Sequence, residues 1–252
     1  MNVSPVFVAV FLRTWLKVVR RPVVLLLSFV QPLIWMSFFG FLFQRFPLGR
    51  WHPHMSYLDF LLPGVCGMTV LLGASQSGIG LIRDLQTGFL DRMLATQANR
   101  VELLLGKVTA DVSRQLVQAV VVVFLGVLLG VRFHLSPALL LAALYLVLFG
   151  AGYCCLSCWI ALATRSQESM SAFVHVANMP VSFTSTALVL VKQMPAWLES
   201  IAVWNPLTLA VETLRNAMFF GELHWSIVSL GLLTFLVVAL FGLAARALER
   251  GA

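Results

Sequence analysis

Charged side chains are scarce in this sequence. Asp, Glu, Lys and Arg together make up 11% of its 252 residues, whereas hydrophobic residues make up 60%; an ordinary soluble domain has about 25% charged residues. So few charges cannot cover the surface of a water-soluble globule, and most of the exterior must therefore face lipid. The net charge of +7 is spread between apolar runs and is not gathered on one polar face, which argues against a nucleic-acid partner.

Six apolar runs lack Asp, Glu, Lys and Arg altogether. Each is long enough to cross a hydrocarbon core, which needs roughly 17–25 helical residues. The sequence therefore predicts an all-α integral membrane protein with six transmembrane helices at 23–43, 60–82, 115–131, 137–163, 170–191 and 226–245. The first run has full span length and no small-residue cleavage site after it, so we expect a span and not a signal peptide.

The positions of Lys and Arg predict the orientation of these spans. With both termini in the cytoplasm, the outer segments hold only Arg45, Arg50, Arg132, Lys192 and Arg215. The inner segments then hold the remaining cations, including Arg83, Arg92, Arg100, Lys107 and Arg114. Because cytoplasmic segments of membrane proteins carry the excess of Lys and Arg, we expect both termini to be cytoplasmic.

Motifs for catalysis and for metal binding are also missing. The cysteines lie within predicted spans without the converging ligands of a zinc site, and they imply no disulfide framework: Cys66, Cys154, Cys155 and Cys158. No G-x-x-x-x-G-K-[ST] phosphate loop occurs, so the chain cannot hydrolyse ATP by itself and is not predicted to be an enzyme. Gly73-Ala74-Ser75-Gln76 approaches the G-x-S-G of rhomboid-like serine proteases, but Gln76 replaces the second glycine, so an intramembrane serine hydrolase is the weakest alternative.

Two segments on the cytoplasmic side are amphipathic. Segment 5–21 has a helical period, with Trp15 among its apolar positions and Arg13, Lys17 and Arg20 on the opposite face. It predicts a helix that lies in the inner membrane interface with its cations toward lipid headgroups; a plain topology signal is the alternative.

In segment 83–95, apolar residues line one side of a short helix beside Asp84, Asp91 and Arg92: Leu85, Phe89, Leu90, Met93 and Leu94. An apolar knob ringed by charge suits a cytosolic partner, and an interfacial helix without a partner is the alternative.

An outer loop at 195–222 predicts a pair of short re-entrant helices between the fifth and sixth spans. Trp197 and Trp204 share one face, and Asn205-Pro206 breaks the pattern before a second amphipathic stretch. Glu212 lies one turn before Arg215, so it can balance part of the arginine charge.

Polar residues inside the predicted spans are few. Gln31, Gln76, His175 and Asn178 are candidates for a translocation path, and interhelical hydrogen bonding is the alternative role. Because no predicted span contains Asp or Glu, an ion-coupled secondary transporter or a channel is only the second interpretation.

These segments, in this order, resemble the permease subunit of type-2 ABC exporters, the group that includes bacterial drug, lipo-oligosaccharide and polysaccharide exporters. The resemblance covers nearly the whole chain, which it treats as one transmembrane domain over 1–252. Besides the interface helix and the six spans, it depends on 57–64 (YLDFLLPG), Arg83-Asp84, Gly88-x-x-Asp91-x-x-Leu94, Gly106-Lys107, Asn205-Pro206-Leu207-Thr208 and Arg215-Asn216.

The resemblance implies an assembly in the bacterial cytoplasmic membrane, made of two permeases and two cytosolic ATPase subunits. The two permeases form a homodimer or a heterodimer of this chain with a similar permease. The ATPase binds ATP and Mg, and this chain itself holds no cofactor. Segment 83–95 is then the coupling helix, in which the ATPase contacts Asp84, Gly88, Phe89, Leu90, Asp91, Arg92, Met93 and Leu94. The outer gate would consist of Trp197, Trp204, Asn205, Pro206, Glu212 and Arg215, and the exported substrate would be hydrophobic or lipid-linked.

Overall fold

The computed structural model describes residues 5–20, 22–43, 55–95, 99–221 and 227–250. Within these ranges the chain is helical and contains no β-strand. The α-helices are α1 Pro5–Val19, α2 Pro22–Leu42, α3 Tyr57–Gln86, α4 Phe89–Ala95, α5 Arg100–Leu128, α6 Ala138–Thr164, α7 Gln167–Phe183, α8 Ala196–Ala202, α9 Pro206–Phe219 and α10 Ile227–Arg250.

Four of these helices include stretches long and apolar enough to cross a membrane. They are α3, α5, α6 and, within α10, Leu230–Leu248. Helix α2 adds a shorter apolar stretch, Ser28–Leu42. The prediction of an all-helical membrane protein is therefore confirmed, while the count of six spans and the orientation stay predictions.

Several helices have different bounds from the predicted spans. Helix α5 begins at Arg100, well before the predicted start at 115, because the Asn99 side chain caps it by accepting a hydrogen bond from the Val101 N–H. Helix α7 ends at Phe183, short of the predicted end at 191, and Thr184 closes it by donating to the Pro180 carbonyl.

The predicted coupling helix at 83–95 is two elements in the structure. Helix α3 continues to Gln86, and α4 begins at Phe89 after a turn. Gly88 adopts a φ of 62°, a left-handed conformation that ends helices and strains other residues. A single continuous helix over this segment was therefore the wrong expectation.

Helix α3 is the centre of the bundle. It packs against α5, α6, α7 and α9, and most of its side chains from Tyr57 to Ile82 are buried. Close approach depends on glycine: a Cβ on Gly64 would lie 2.0 Å from the Ala187 carbonyl oxygen. The backbone N–H of Gly78 donates to Ser157 Oγ of α6 at 3.0 Å. Small residues thus bring the backbones of neighbouring helices together, as is typical of membrane bundles.

Candidate translocation cavity and coupling region

A cavity of about 1250 Å³ lies along α3, and α1, α2, α5 and α7 supply its other walls. Helix α3 and its C-cap residue face the cavity with small and polar residues at alternating spacings of four and three, namely Thr69, Gly73, Gln76, Gly80, Arg83 and the C-cap Thr87. These spacings place the residues on one helix face, and at a rise of about 1.5 Å per residue this face extends for about 27 Å. The cavity therefore follows α3 over a distance close to the thickness of a bilayer core.

All the residues predicted for a translocation path line this cavity: Gln31 from α2, Gln76 from α3, and His175 and Asn178 from α7. Asn178 is buried, and its Oδ1 accepts hydrogen bonds from Ser75 Oγ at 2.8 Å and from Tyr153 OH at 2.9 Å. Asn178 therefore links α3, α6 and α7, which favours the interhelical role for this residue. The other three side chains are exposed to the cavity.

Helix α5 contributes a second polar face, which the sequence patterns did not predict. Lys107, Asp111, Arg114 and Gln118 line the cavity at spacings of four, three and four. Lys107 Nζ lies 3.1 Å from Asp111 Oδ2, both side chains are buried, and Ser77 Oγ donates to the same carboxylate oxygen. The helix that contains the predicted third span thus also contains an acidic residue, Asp111, shortly before that span begins at 115. The K-x-x-x-D spacing was the available signal.

Apolar side chains form the rest of the cavity wall. They come from α2, α3 and α7 and include Trp35, Val65, Met68, Leu72, Met179 and Phe183. Both α2 and α7 also expose apolar side chains on the bundle surface, among them Ile34, Phe38 and Val176. The cavity is therefore amphipathic, with cations toward the Arg83 end of α3 and apolar groups toward the Val65 end.

Helix α1 is fixed to the end of α3 that holds Asp84 and to α5. Arg13 Nη1 lies 3.0 Å from Asp84 Oδ1, and Lys17 Nζ pairs with the same oxygen. Trp15 Nε1 donates to Ser113 Oγ of α5 at 2.9 Å. Asp84 thus engages Arg13 and Lys17, and Arg20 is exposed; the contact of these three cations with lipid headgroups stays a prediction.

The predicted coupling residues differ in accessibility. Leu90 is 6% exposed and packs into the core, so it cannot fill a cleft on a partner. Phe89 and Met93 are half-buried, and the Arg13 guanidinium carbon lies 3.3 Å from the centroid of the Phe89 ring. Exposed Arg92 donates to the carbonyls of Thr87 and Gly88. The side chains of Asp91 and Leu94 lie outside the described residues.

On the opposite side of the bundle, Trp197 and Trp204 are exposed, the latter at 77%. Asn205 ends this surface segment and is buried. Its Nδ2 donates to the Val181 carbonyl at 2.8 Å and to Thr184 Oγ1 at 2.9 Å, while its Oδ1 accepts from the Leu207 N–H. Pro206 is the first residue of α9, where its missing N–H costs nothing. The α8–α9 break is thereby anchored to the end of α7.

Arg215 is a buried connection between α9 and the rest of the bundle. It is 1% exposed, and its Nη1 pairs with Glu212. Its Nη2 donates to the carbonyls of Phe60 at 3.1 Å and Thr186 at 2.9 Å, and its guanidinium lies over the Phe60 ring. Burial lowers the pKa of the Arg215 guanidinium, and the Glu212 carboxylate opposes that shift. The pairing was predicted from spacing, but the depth of burial was not.

Comparison with known proteins gives a consistent result. The family model described as ABC-2 type transporter matches residues 5–219. The putative transport permease ycf38 of Pyropia yezoensis is 33% identical over 94% of this chain and 85% of its own length. The daunorubicin resistance ABC transporter permease protein DrrB1 of Streptomyces coeruleorubidus is 28% identical over 82% of this chain and 72% of its own. The probable doxorubicin resistance ABC transporter permease protein DrrC of Mycobacterium tuberculosis is 26% identical over 67% of this chain and 61% of its own length.

Proposed function

The chain belongs to the ABC-2 type transporter family, and from this premise we propose that it is the permease subunit of an ATP-driven exporter in a bacterial cytoplasmic membrane. In this proposal α2, α3, α5, α6, α7 and α10 are the six spans and both termini are cytoplasmic. Arg83, Arg100 and Arg246 then lie near the cytoplasmic ends of their helices, and Lys and Arg remain in excess on this side even without Lys107 and Arg114, which line the cavity.

The cavity along α3 is the observation that carries the proposal. Its volume of about 1250 Å³ exceeds the roughly 300–1,000 Å³ of most small-molecule pockets. Its lining combines amides and cations with Trp35, Met179 and Phe183. A site of this size and mixed polarity suits a hydrophobic or lipid-linked substrate that enters from the Arg83 end, which is cytoplasmic in this topology.

The proposed assembly contains a second permease copy and two ATPase subunits, which hold the ATP and Mg. The exposed apolar faces of α2 and α7 flank the cavity, so a second copy packed against them would complete its wall. The ATPase would contact α4, where Phe89 and Met93 are partly accessible. We assign the outer gate to the α8–α9 segment that Asn205 and Arg215 anchor.

The test is reconstitution of the chain into vesicles with the ATPase encoded beside it. ATP should drive export of a candidate hydrophobic compound, and an ATPase variant that binds but does not hydrolyse ATP should abolish it. Transport that is independent of ATP and of the ATPase would refute the proposal.

A second candidate function, an ion-coupled carrier, is favoured by one observation, the buried Asp111 on α5. Its carboxylate is already engaged by Lys107 and Ser77, which disfavours a cycle of proton release and uptake. The same vesicles distinguish the two functions, because a pH gradient without ATP should drive transport only by an ion-coupled carrier.

A further inference from the structure

The charges that line the middle of the cavity do not balance. Arg114 is the middle residue of α5, a 29-residue helix that can span the membrane. It is half-buried, and its Nη2 donates to the neutral Gly73 carbonyl at 3.1 Å. Nearby, the single negative charge of Asp111 faces both Lys107, its ion-pair partner, and Arg114. The described residues place no carboxylate within ion-pairing distance of Arg114, so this group of three carries one excess positive charge.

An excess charge within a spanning helix is costly unless an opposite charge approaches it. The mouth of the cavity repeats the imbalance, since Arg13, Lys17 and Arg83 line it together with one carboxylate, Asp84. Cations along both the entrance and the middle of a cleft create a positive potential that attracts anions. The electrostatics therefore favour a negatively charged ligand.

Two buried amides support a ligand at this depth independently of charge. Gln118 lies one turn beyond Arg114 on α5, and its Oε1 has no hydrogen-bond partner among the described residues. Asn178 Nδ2 on α7 also has no hydrogen-bond partner among the described residues, although Asn178 Oδ1 accepts two hydrogen bonds. Both residues are at least nine-tenths buried and line the cavity. The free Asn178 Nδ2 can donate to an oxygen of a ligand, and the free Gln118 Oε1 can accept from a hydroxyl or amine of the same ligand.

The remaining wall determines what the anion must carry. Trp35, Met179 and Phe183 line the cavity on its α2 and α7 sides, so a small hydrated anion would leave this apolar surface unfilled. We propose that the cavity binds an amphiphile whose single anionic headgroup lies at Arg114 and whose apolar body packs against these three residues. This inference rests on the proposed function and names its substrate class. An anionic phospholipid and an aromatic acid share the required chemistry.

Two fluorescent probes with the same rings separate charge from apolar binding. Anilinonaphthalene sulfonate is anionic, and phenylnaphthylamine lacks the sulfonate. Each is titrated into phosphatidylcholine nanodiscs that contain the full chain, and the signal of empty nanodiscs is subtracted. We expect saturable binding of the sulfonate that is at least about tenfold tighter than that of the amine, the effect of one charge-assisted contact.

Arg114→Gln should weaken sulfonate binding by about ten- to hundredfold and change amine binding by less than about twofold. Arg114→Lys keeps the charge and should retain most of the affinity. Arg246→Gln, which neutralises an exposed arginine of α10, is the matched control and should change neither probe. Equal affinities for the two probes in the unaltered chain, or equal weakening of both by Arg114→Gln, would overturn the inference.

Gln76→Glu is a second variant that places a carboxylate on the cavity surface, where folding is under less constraint. It should weaken binding of the sulfonate alone; loss of both probes or of neither counts against the inference. Phosphatidic acid and phosphatidylcholine of the same acyl chains are then compared as competitors of the sulfonate probe. Displacement of the probe by phosphatidic acid alone identifies the ligand as a lipid, and no displacement by either lipid identifies it as a soluble anion. No arm uses ATP, so failure here is distinct from failure of ATP-driven transport.

Discussion

Replacing Arg215 with methionine tests how α9 is held in the bundle. The change keeps most of the side-chain volume but removes the pair with Glu212 and the two hydrogen bonds to the carbonyls of Phe60 and Thr186. Because Arg215 is 1% exposed, water cannot replace these contacts without opening the core. Removing one partner of a buried ion pair typically costs about 3–5 kcal/mol. We therefore expect Arg215→Met to lower the free energy of unfolding by about that amount.

Glu212→Gln is the informative comparison. The Glu212 side chain is 21% exposed, so its charge is partly hydrated, and the amide can still accept a hydrogen bond from Arg215. Glu212→Gln leaves the buried guanidinium hydrogen-bonded but without a counter-ion, so it should cost about 1–3 kcal/mol, less than Arg215→Met. Equilibrium unfolding of the purified chain in mixed micelles measures both values, and the double variant gives their coupling. Equal stability of Arg215→Met and the unaltered chain, or equal costs for the two single variants, would refute this reasoning.

Three further predictions concern α1, α4 and the bundle surface. Asp84→Asn removes the ion pairs with Arg13 and Lys17, which are partly solvated. Amide hydrogen exchange in α1 should therefore be up to about tenfold faster, while exchange in α6 is unchanged. Equal exchange rates in α1 of the variant and the unaltered chain would contradict the role of Asp84. Phe89→Ala should weaken capture of the ATPase by about tenfold or more. Leu90→Ala, at a buried position, should chiefly reduce stability. Undiminished capture of the ATPase by Phe89→Ala would show that the ATPase does not contact this residue of α4. Cysteines at Ile34 and Phe38 of α2 should crosslink two copies of the chain in native membranes. A cysteine at Val120, which is similarly exposed but lies on α5, should not. Crosslinking at Val120 alone would place the interface between permeases on α5.

The sequence predicts some features of this protein because they depend on local patterns. Long apolar runs identify helices in lipid, and Asn205-Pro206 identifies the start of α9 because both residues act within one turn of the chain. Polar residues inside apolar runs identify Gln31, Gln76 and His175 as cavity residues, since few roles are available for such groups in a membrane.

Other features depend on contacts between distant segments, and local patterns do not reveal them. Excluding charged residues from spans moved the predicted start of the third span beyond Arg114, although Lys107 and Asp111 neutralise each other within α5. Nor does spacing show that the Arg215 guanidinium reaches the Phe60 carbonyl, which lies 155 positions away in the sequence. Burial of a charge becomes predictable only when its partners are known.

The position of Arg13 joins the coupling region to the cavity. The same guanidinium lines the cavity mouth, pairs with Asp84 at the end of α3 and lies over the Phe89 ring of α4. The turn at Gly88 separates α4 from α3, so α4 can change its angle without unwinding the central helix. A partner that displaces α4 and carries Arg13 along with Phe89 would separate Arg13 from Asp84 and leave Lys17 to neutralise this carboxylate. In the proposed exporter, an ATPase bound at α4 would therefore act on the charge of the cavity mouth through a single shared side chain.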